Sequence, residues 1–263
     1  MEDRAAVPVV VVARQNLHLT KLCIGSILAQ DVPVEVLLVS NACDDGTDQW
    51  AATKPITVIH TGEQWSLAKC WNVALAALWK AGWNRAIVCN NDIVVQPMTA
   101  RILDAMQMPF VSCISVGTPE QLEPRSEAQI EALRMGARPH PDYSCWMIRK
   151  SVTDRGIWFN EECWPAYVED AFHHKAMHDA GIPAMCIDLP YLHHSSSTLK
   201  SASVREQAII RRGADENRKR FRDKYGCVPG EPAYEALFQS TTPPEVPPAT
   251  ATVSAHPENR TTA

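Results

Sequence analysis

No apolar run in this 263-residue sequence approaches about 18 residues, the length that reads as a membrane-spanning helix, so no membrane partner is expected. The familiar glycine motifs are missing too. There is no G-x-G-x-x-G, no lysine-bearing Walker loop and no G-x-S-x-G elbow. Hydride transfer, P-loop phosphoryl transfer and serine hydrolysis therefore lose their usual markers. The nine cysteines are odd in number and include no C-x-x-C pair. That pattern argues for free, mostly buried thiols in a reducing compartment, not for a disulfide framework or a zinc knuckle. Met1-Glu2-Asp3-Arg4 runs directly into valines, without the basic region, apolar core or cleavage site of a signal peptide. A cytoplasmic protein is expected. A formal charge of −5 gives no global attraction to nucleic acid, though it leaves room for a local basic patch.

An apolar share of 46% is enough for a real core, in one large domain or two small ones. Residues 8–13, Pro-Val-Val-Val-Val-Ala, form a β-branched run that suits a strand covered on both faces. Leu19, Leu22, Cys23, Ile27 and Leu28 then recur at helical spacing over 17–30. Residues 34–39 and 56–60 read as further strands. Ser66 can cap a helix over 67–81 whose stripe is Leu67, Trp71, Ala74, Leu75 and Leu78, with Gly82 as its stop. A buried strand at 86–89, a helix at 98–107 and a strand at 110–116 follow. Strand and helix thus alternate, which predicts an α/β sheet with helices on its faces. Ligands of such sheets bind beyond the carboxyl ends of the strands. Three polar segments lie there: Arg14–Asn16, Ser40–Asp48 and Asn90–Asp92.

The second half is less regular. Residues 117–142 read as a loop, 143–149 as a strand, 169–180 as a helix opening on Glu169-Asp170, and 184–192 as a last strand ending at His193-His194. Residues 200–224 hold nine Lys/Arg against four Asp/Glu, a net +5, and 241–263 lack periodicity and are expected to be disordered.

Several residues can carry chemistry, and each also has a plain structural reading. Asp92 follows a buried strand; it is either a turn former or a carboxylate for a hard cation on a diphosphate. His193 and His194 are structural, or one of them joins Asp92 on a Mn²⁺-like ion. Glu169 and Asp170 are acids at a helix start, favoured there electrostatically, or supply a general base for an acceptor hydroxyl. His174 and His178 have zinc-binding i, i+4 spacing but lack the glutamate of H-E-x-x-H. Trp146, Trp158 and Trp164 stack on a ligand or pack in the core.

In order, these segments resemble family-two glycosyltransferases of the GT-A fold over roughly residues 7–200. "VSNACDDGTDQW" is similar to the family's V-D-N-G-S-x-D-G-T: Asn41, Asp45, Gly46 and Thr47 match, and Ser40 stands where the family has Asp. "EQWSLAKCWNVAL" resembles N-x-G-x-x-x-A-x-N-x-G-L through Asn72. "CNNDIVV" falls at the D-x-D position with only Asp92 retained. The segment 147–181 looks like the acceptor segment, matching at Arg149, Gly156, Phe159, Glu161, Glu169, Asp170 and Gly181, and "LHHSSST" is similar to the terminal histidine segment.

The resemblance implies a GT-A (Rossmann-like) α/β fold, with a mostly parallel central sheet, helices on both faces and a C-terminal helical extension. It implies a catalytic domain over 1–199 (donor half about 1–116, acceptor half about 117–199), a basic extension over 200–240 and a tail over 241–263. It implies a metal-dependent, inverting transfer from a nucleotide-sugar, most simply a UDP-sugar, to an acceptor hydroxyl. Ala13, Arg14, Asn41, Asp45, Asn72 and Asn91 would contact the donor; Asp92, His193 and His194 would hold Mn²⁺ or Mg²⁺; Asp170, beside Glu169, would be the base. "NRKRFRDKYGCVPGEPAYEALF" is also similar to a tail of some phage-encoded glycosyltransferases, which implies host cytoplasm and an acceptor such as a hydroxymethylated pyrimidine in DNA. The +5 stretch would then meet phosphates, or else be a solvated helix packed on the domain. A saccharide or protein acceptor, a nucleotidyltransferase and a non-catalytic sugar- or DNA-binding protein remain the alternatives.

Overall fold

The computed structural model describes residues 6–239 except 124, 138, 139, 195 and 196; the expected tail lies outside them. Nine strands form one sheet: β1 (Val7–Ala13), β2 (Val34–Asn41), β3 (Thr57–Thr61), β4 (Arg85–Asn90), β5 (Ile93–Val94), β6 (Phe110–Val116), β7 (Met135–Ala137), β8 (Cys145–Arg149) and β9 (Met185–His193). The helices are α1 (Leu17–Leu28), α2 (Thr47–Ala51), α3 (Leu67–Lys80), α4 (Thr99–Ala105), α5 (Glu127–Glu131), α6 (Lys150–Thr153), α7 (Glu169–Asp179), α8 (Ser197–Ser201), α9 (Val204–Tyr225) and α10 (Pro232–Ala236).

The strand order is β3-β2-β1-β4-β8-β6-β9-β5, and β7 also pairs with β9. β1 to β4, β6 and β9 run one way; β5, β7 and β8 run against them. The chain steps outward from β1 to β2 and β3, then returns to place β4 on the other side of β1. That reversal opens a crevice at the carboxyl ends of β1 and β4.

The continuous valine run has a direct cause. All seven residues of β1 are buried. Val7, Val9, Val11 and Ala13 join a core cluster with Cys23, Ile24 and Ile27 of α1 and Ile102 and Leu103 of α4. Val10 and Val12 join a second cluster on the opposite face with Trp71, Ala74 and Leu75 of α3 and Met177 of α7. Period-two alternation thus feeds two cores at once, which leaves no position for a polar residue. Ser66 caps α3 as expected, its Oγ accepting the Lys69 N–H at 3.2 Å.

A third, smaller cluster joins Phe172 of α7, Phe221 of α9 and Tyr234 of α10. The basic 200–224 stretch is therefore largely one helix, α9, packed on the domain. It opens on a Ser203–Glu206 capping box and ends at Gly226 with φ 79°. Residues 117–142 are more ordered than a loop: they contain α5, and β7 pairs with β9. A three-residue edge strand has no periodicity to read; its partner, not its own propensity, makes it a strand.

Candidate active site

After β4 the chain crosses to the far part of the sheet. The two residues of β5 pair antiparallel with the end of β9, Ile93 opposite His193 and Val94 opposite Leu192. Asn91-Asp92 is the crossing. The His194 N–H donates to the Asp92 carbonyl at 2.9 Å, and His193 Nε2 lies 3.4 Å from Asp92 Oδ1. Ser197 Oγ donates to Asp92 Oδ2 at 2.7 Å. Asp92 is buried. Burial alone would raise its pKa, but the hydrogen bond and charge of His193, with the Ser197 hydroxyl, bring it below the usual carboxylate value. His193 moves the other way: burial opposes its protonation, and the Asp92 carboxylate overrides that and raises it.

The second pair comes from a tight corner. Tyr167 and Val168 both have left-handed backbones, φ 78° and 75°, and α7 starts at Glu169. Glu169 is buried and its Oε2 has no partner among the described residues. Burial, then the neighbouring Asp170 charge, push its carboxyl well above the ordinary range. Half-buried Asp170 accepts the Ala171 N–H at 2.8 Å, and burial raises its pKa as well.

Both pairs border one cavity of about 490 Å³ at the carboxyl ends of the strands. Arg14, Asn41, Asn91, Asp92, His193, Glu169 and Asp170 all line it, with Tyr143, Tyr167, Leu199 of α8 and Ile210 of α9. A second cleft of about 430 Å³ shares Arg14, Gln64 and Ile210 with it and adds Gln15, Asn16, Asp44 and Glu206. Asn16 Nδ2, buried there, has no partner among the described residues. Arg14 spans both spaces: one Nη donates to the Ala42 carbonyl at 2.9 Å, the other lies 3.7 Å from Glu206 of α9.

Other sequence candidates occupy bracing positions instead. Asn72 gives its amide N–H groups to the Phe159 carbonyl and Glu161 Oε1, both at 2.9 Å, while its Oδ1 takes the Phe159 N–H. It ties α3 to Phe159 and Glu161 and is not among the cavity-lining residues. Asp45 accepts the Leu17 N–H at 2.7 Å and the Thr47 hydroxyl, holding the starts of α1 and α2. Asn41 lines the cavity, yet its amide is paired with both main-chain groups of Trp65. Asn91 fastens the crossing to Gln15 and Thr20. Ala13 is the buried end of β1, and His194 meets Asp92 through its main chain, with its Nε2 buried and unpartnered among the described residues.

For Trp146 and for the His174/His178 pair the structure favours the plain structural reading. Trp146 is fully buried, edge-on to Trp71 and stacked on Phe110, so it is core; Trp158 and Trp164 stay exposed. His174 stacks on Phe238 at 4.1 Å and burial lowers its pKa to about 3. Both His174 and His178 lie against the Phe238 ring, so their spacing serves packing; among the described residues no group of three or more His, Cys, Asp or Glu is placed to hold a metal. Ser197 was not singled out because a serine in a polar run carries no signal until β5 brings Asp92 beside it.

Asn72 gives a clean test of its bracing role. Asn72→Ala leaves the buried Phe159 carbonyl and amide unpaired and should cost about 1–3 kcal/mol in denaturant unfolding. Affinity for a donor should be retained in a refolded, fully native sample. A loss of donor affinity with unchanged stability would return Asn72 to the ligand.

No family model matches the sequence, and no curated protein matches it. Among solved structures the chain is similar to the mannosyltransferase PcManGT from Pyrobaculum calidifontis, in complex with GDP-Man and Mn²⁺. The TM-score is 0.59 at 19% identity, covering 90% of this chain and 69% of that one. It is also similar to S. aureus TarS 1-349 in complex with UDP-GlcNAc, with TM-score 0.58 at 16% identity, covering 89% of this chain and 70% of that one. At these identities the likeness is one of fold. The chain has the GT-A type of α/β fold, as its segments implied. No helix among the described residues is long and apolar enough to cross a membrane.

Proposed function

We propose that this chain is an inverting glycosyltransferase that moves a sugar from a nucleotide-sugar to an acceptor hydroxyl. One observation carries the reading: Asp92–His193 and Glu169–Asp170 border the same cavity at the carboxyl ends of the sheet. The two similar structures, one with GDP-Man and Mn²⁺ and one with UDP-GlcNAc, support a nucleotide-sugar donor.

A carboxylate and an imidazole 3.4 Å apart fit a borderline divalent ion better than they fit Ca²⁺. Two protein groups leave the remaining positions to a diphosphate and water, which is how such ions are commonly held in nucleotide sites. When bound, the ion would offset the negative charge that grows on the leaving diphosphate. Ser197 fixes the Asp92 carboxylate, and Arg14 adds a cation beside both spaces. The second cleft, with Asn16 and Asp44, suits the nucleoside end.

On the acceptor side burial and the charge of Asp170 push the carboxyl of Glu169, the less exposed acid, well above the ordinary range, so Asp170 is the partner that ionises first. Asp170 takes the proton of the acceptor hydroxyl as that oxygen attacks the anomeric carbon and the bond to the diphosphate breaks. One displacement inverts the centre. A raised pKa makes Asp170 a stronger base than a solvated aspartate.

For the acceptor, the proposal is DNA carrying a hydroxymethylated pyrimidine. Arg205, Arg211 and Arg212 are exposed on α9, with no ion-pair partner among the described residues, and Trp164 and Tyr167 are exposed beside the spaces that α9 borders. The test offers UDP-glucose, UDP-GlcNAc and GDP-mannose with Mn²⁺ or Mg²⁺, against hydroxymethylated DNA, plain DNA and free sugars. Expected are a hexose-sized mass gain on the modified DNA alone and release of nucleoside diphosphate. Release of sugar 1-phosphate, with the nucleoside monophosphate moved to the acceptor, would make the protein a nucleotidyltransferase; gain on a free sugar would replace the acceptor.

A further inference from the structure

α9 was expected to be a basic extension, yet one of its buried residues is an asparagine with no exposure at all. A mid-helix asparagine is a poor choice for helix propensity, so its side chain must be satisfying something else. Its Nδ2 lies 3.0 Å from the Ala166 carbonyl, 3.1 Å from that of Tyr167 and 3.4 Å from that of Trp164. Two N–H groups are shared among three main-chain oxygens. Its Oδ1 is held by Arg220 at 2.9 Å, which also donates to the Glu162 carbonyl at 3.1 Å.

One turn earlier, Gly213 lies directly on the same segment. A Cβ there would sit 2.5 Å from the Trp164 carbonyl oxygen and 2.5 Å from Pro165 Cδ. The segment has no strand or helix to satisfy its carbonyls, and buried carbonyls require donors. It ends in two left-handed non-glycine residues, one of them the β-branched Val168, a conformation that persists only where its surroundings enforce it. The next two residues are Glu169 and Asp170.

We propose that Asn217 is a positioning residue of the transfer reaction, holding through the main chain of Trp164–Tyr167 the corner that sets Asp170 in the cavity. The inference rests on the glycosyltransferase reading above. It makes α9 part of the machinery that aims the base, whatever the acceptor is. Asn217 itself lines neither of the two spaces; it acts through three carbonyls and a backbone corner.

The test compares Asn217→Asp, which keeps the shape and removes the donors, with Gly213→Ala, which forces helix and segment apart by contact alone. Donor affinity is measured by calorimetry, kcat by diphosphate release, and the exchange of amides 164–171 by mass spectrometry. Both variants should keep donor affinity and lose about 10–100-fold in kcat, since a small misplacement of a reacting group has that effect. Amides 164–171 should exchange faster while those of β1 and β4 do not. Asn217→Ser, which retains one small donor, should fall between the wild type and Asn217→Asp, and decides the matter if the latter fails to fold. An unchanged kcat, or a kcat that falls only in step with donor affinity and global unfolding, overturns the proposal. A wild-type chain that releases no diphosphate from any donor overturns the glycosyltransferase reading instead. The exchange measurement needs no turnover, and unchanged exchange at 164–171 then rejects the clamp by itself.

Discussion

Asp170→Asn should lower kcat by about 10²–10⁴-fold, the usual worth of a positioned general base, while donor affinity stays as it was. The amide keeps the size of the side chain, and its oxygen can still accept the Ala171 N–H that Asp170 takes at 2.8 Å. Helix α7 therefore starts as before, and what disappears is the proton acceptor. In the proposed function the donor is held by other elements, around Arg14 after β1 and Asp92 after β4, so its binding should be untouched. Glu169→Gln is the matched control. Burial, and then its neighbour's charge, push the carboxyl of the less exposed Glu169 well up, so an amide there replaces the acid that ionises less readily. Its effect should be several-fold at most. If Glu169→Gln stops the reaction and Asp170→Asn does not, the two roles are exchanged. The pH profile adds a sign. A base works only when ionised, and burial raises the Asp170 pKa. The acid limb of kcat/KM should thus lie above the ordinary aspartate value and be absent from the residual activity of Asp170→Asn.

Much of this was legible in the sequence, for reasons that differ from element to element. β1 and β4 were readable because strands packed on both faces must be apolar throughout, and a run of valines has few other uses. α3 was readable from its stripe and from Ser66, whose capping bond is local. The place of the cavity followed from the strand ends alone. The pairing of Asp92 with His193 did not, because about a hundred residues separate them and the device that joins them, β5, is two residues long. Polar residues at strand ends posed a different difficulty. Asn41, Asp45 and Asn72 stand where ligand contacts belong, but each also bonds main-chain groups that would otherwise lack a partner. Sequence cannot distinguish an amide that binds a ligand from one that builds the loop around it, since both need a short polar side chain at the same position. Asn217 was hidden more completely. Within a stretch dominated by Arg and Lys it reads as one more solvated residue, and only the packing of α9 against 162–168 shows that it is buried.

Asp92→Asn should abolish the metal-dependent part of donor binding and reduce kcat/KM by on the order of 100-fold or more. Asp92 is the single carboxylate of the Asn90-Asn91-Asp92 crossing, so no neighbour in that turn can replace its charge. Its two oxygens face His193 and Ser197. Asn keeps the Ser197 contact through its oxygen but presents a neutral amide to a cation. His193→Ala should weaken donor binding with Mn²⁺ more than with Mg²⁺, because the imidazole is the ligand that favours the softer ion. Ser197→Ala should have a milder effect on both, since it frees the carboxylate without removing it. Protons complete the argument. Asp92 raises the pKa of His193, and its own is lowered in return. The part of stability due to Asp92 is present above the ordinary carboxylate pKa and lost as pH falls through the lowered folded value. The part due to His193 is present below the ordinary imidazole pKa and lost as pH rises through the raised folded value. A metal needs the neutral imidazole, so Mn²⁺ affinity should climb as pH rises through the His193 pKa. In Asp92→Asn the imidazole loses the carboxylate that raised it and titrates lower, as NMR of the histidine ring would report. Calorimetry of donor with and without Mn²⁺ across that pH range separates the two effects. Unchanged Mn²⁺ dependence in Asp92→Asn would place the cation elsewhere in the cavity and leave the Asp92–His193 pair as a fastening between β5 and β9.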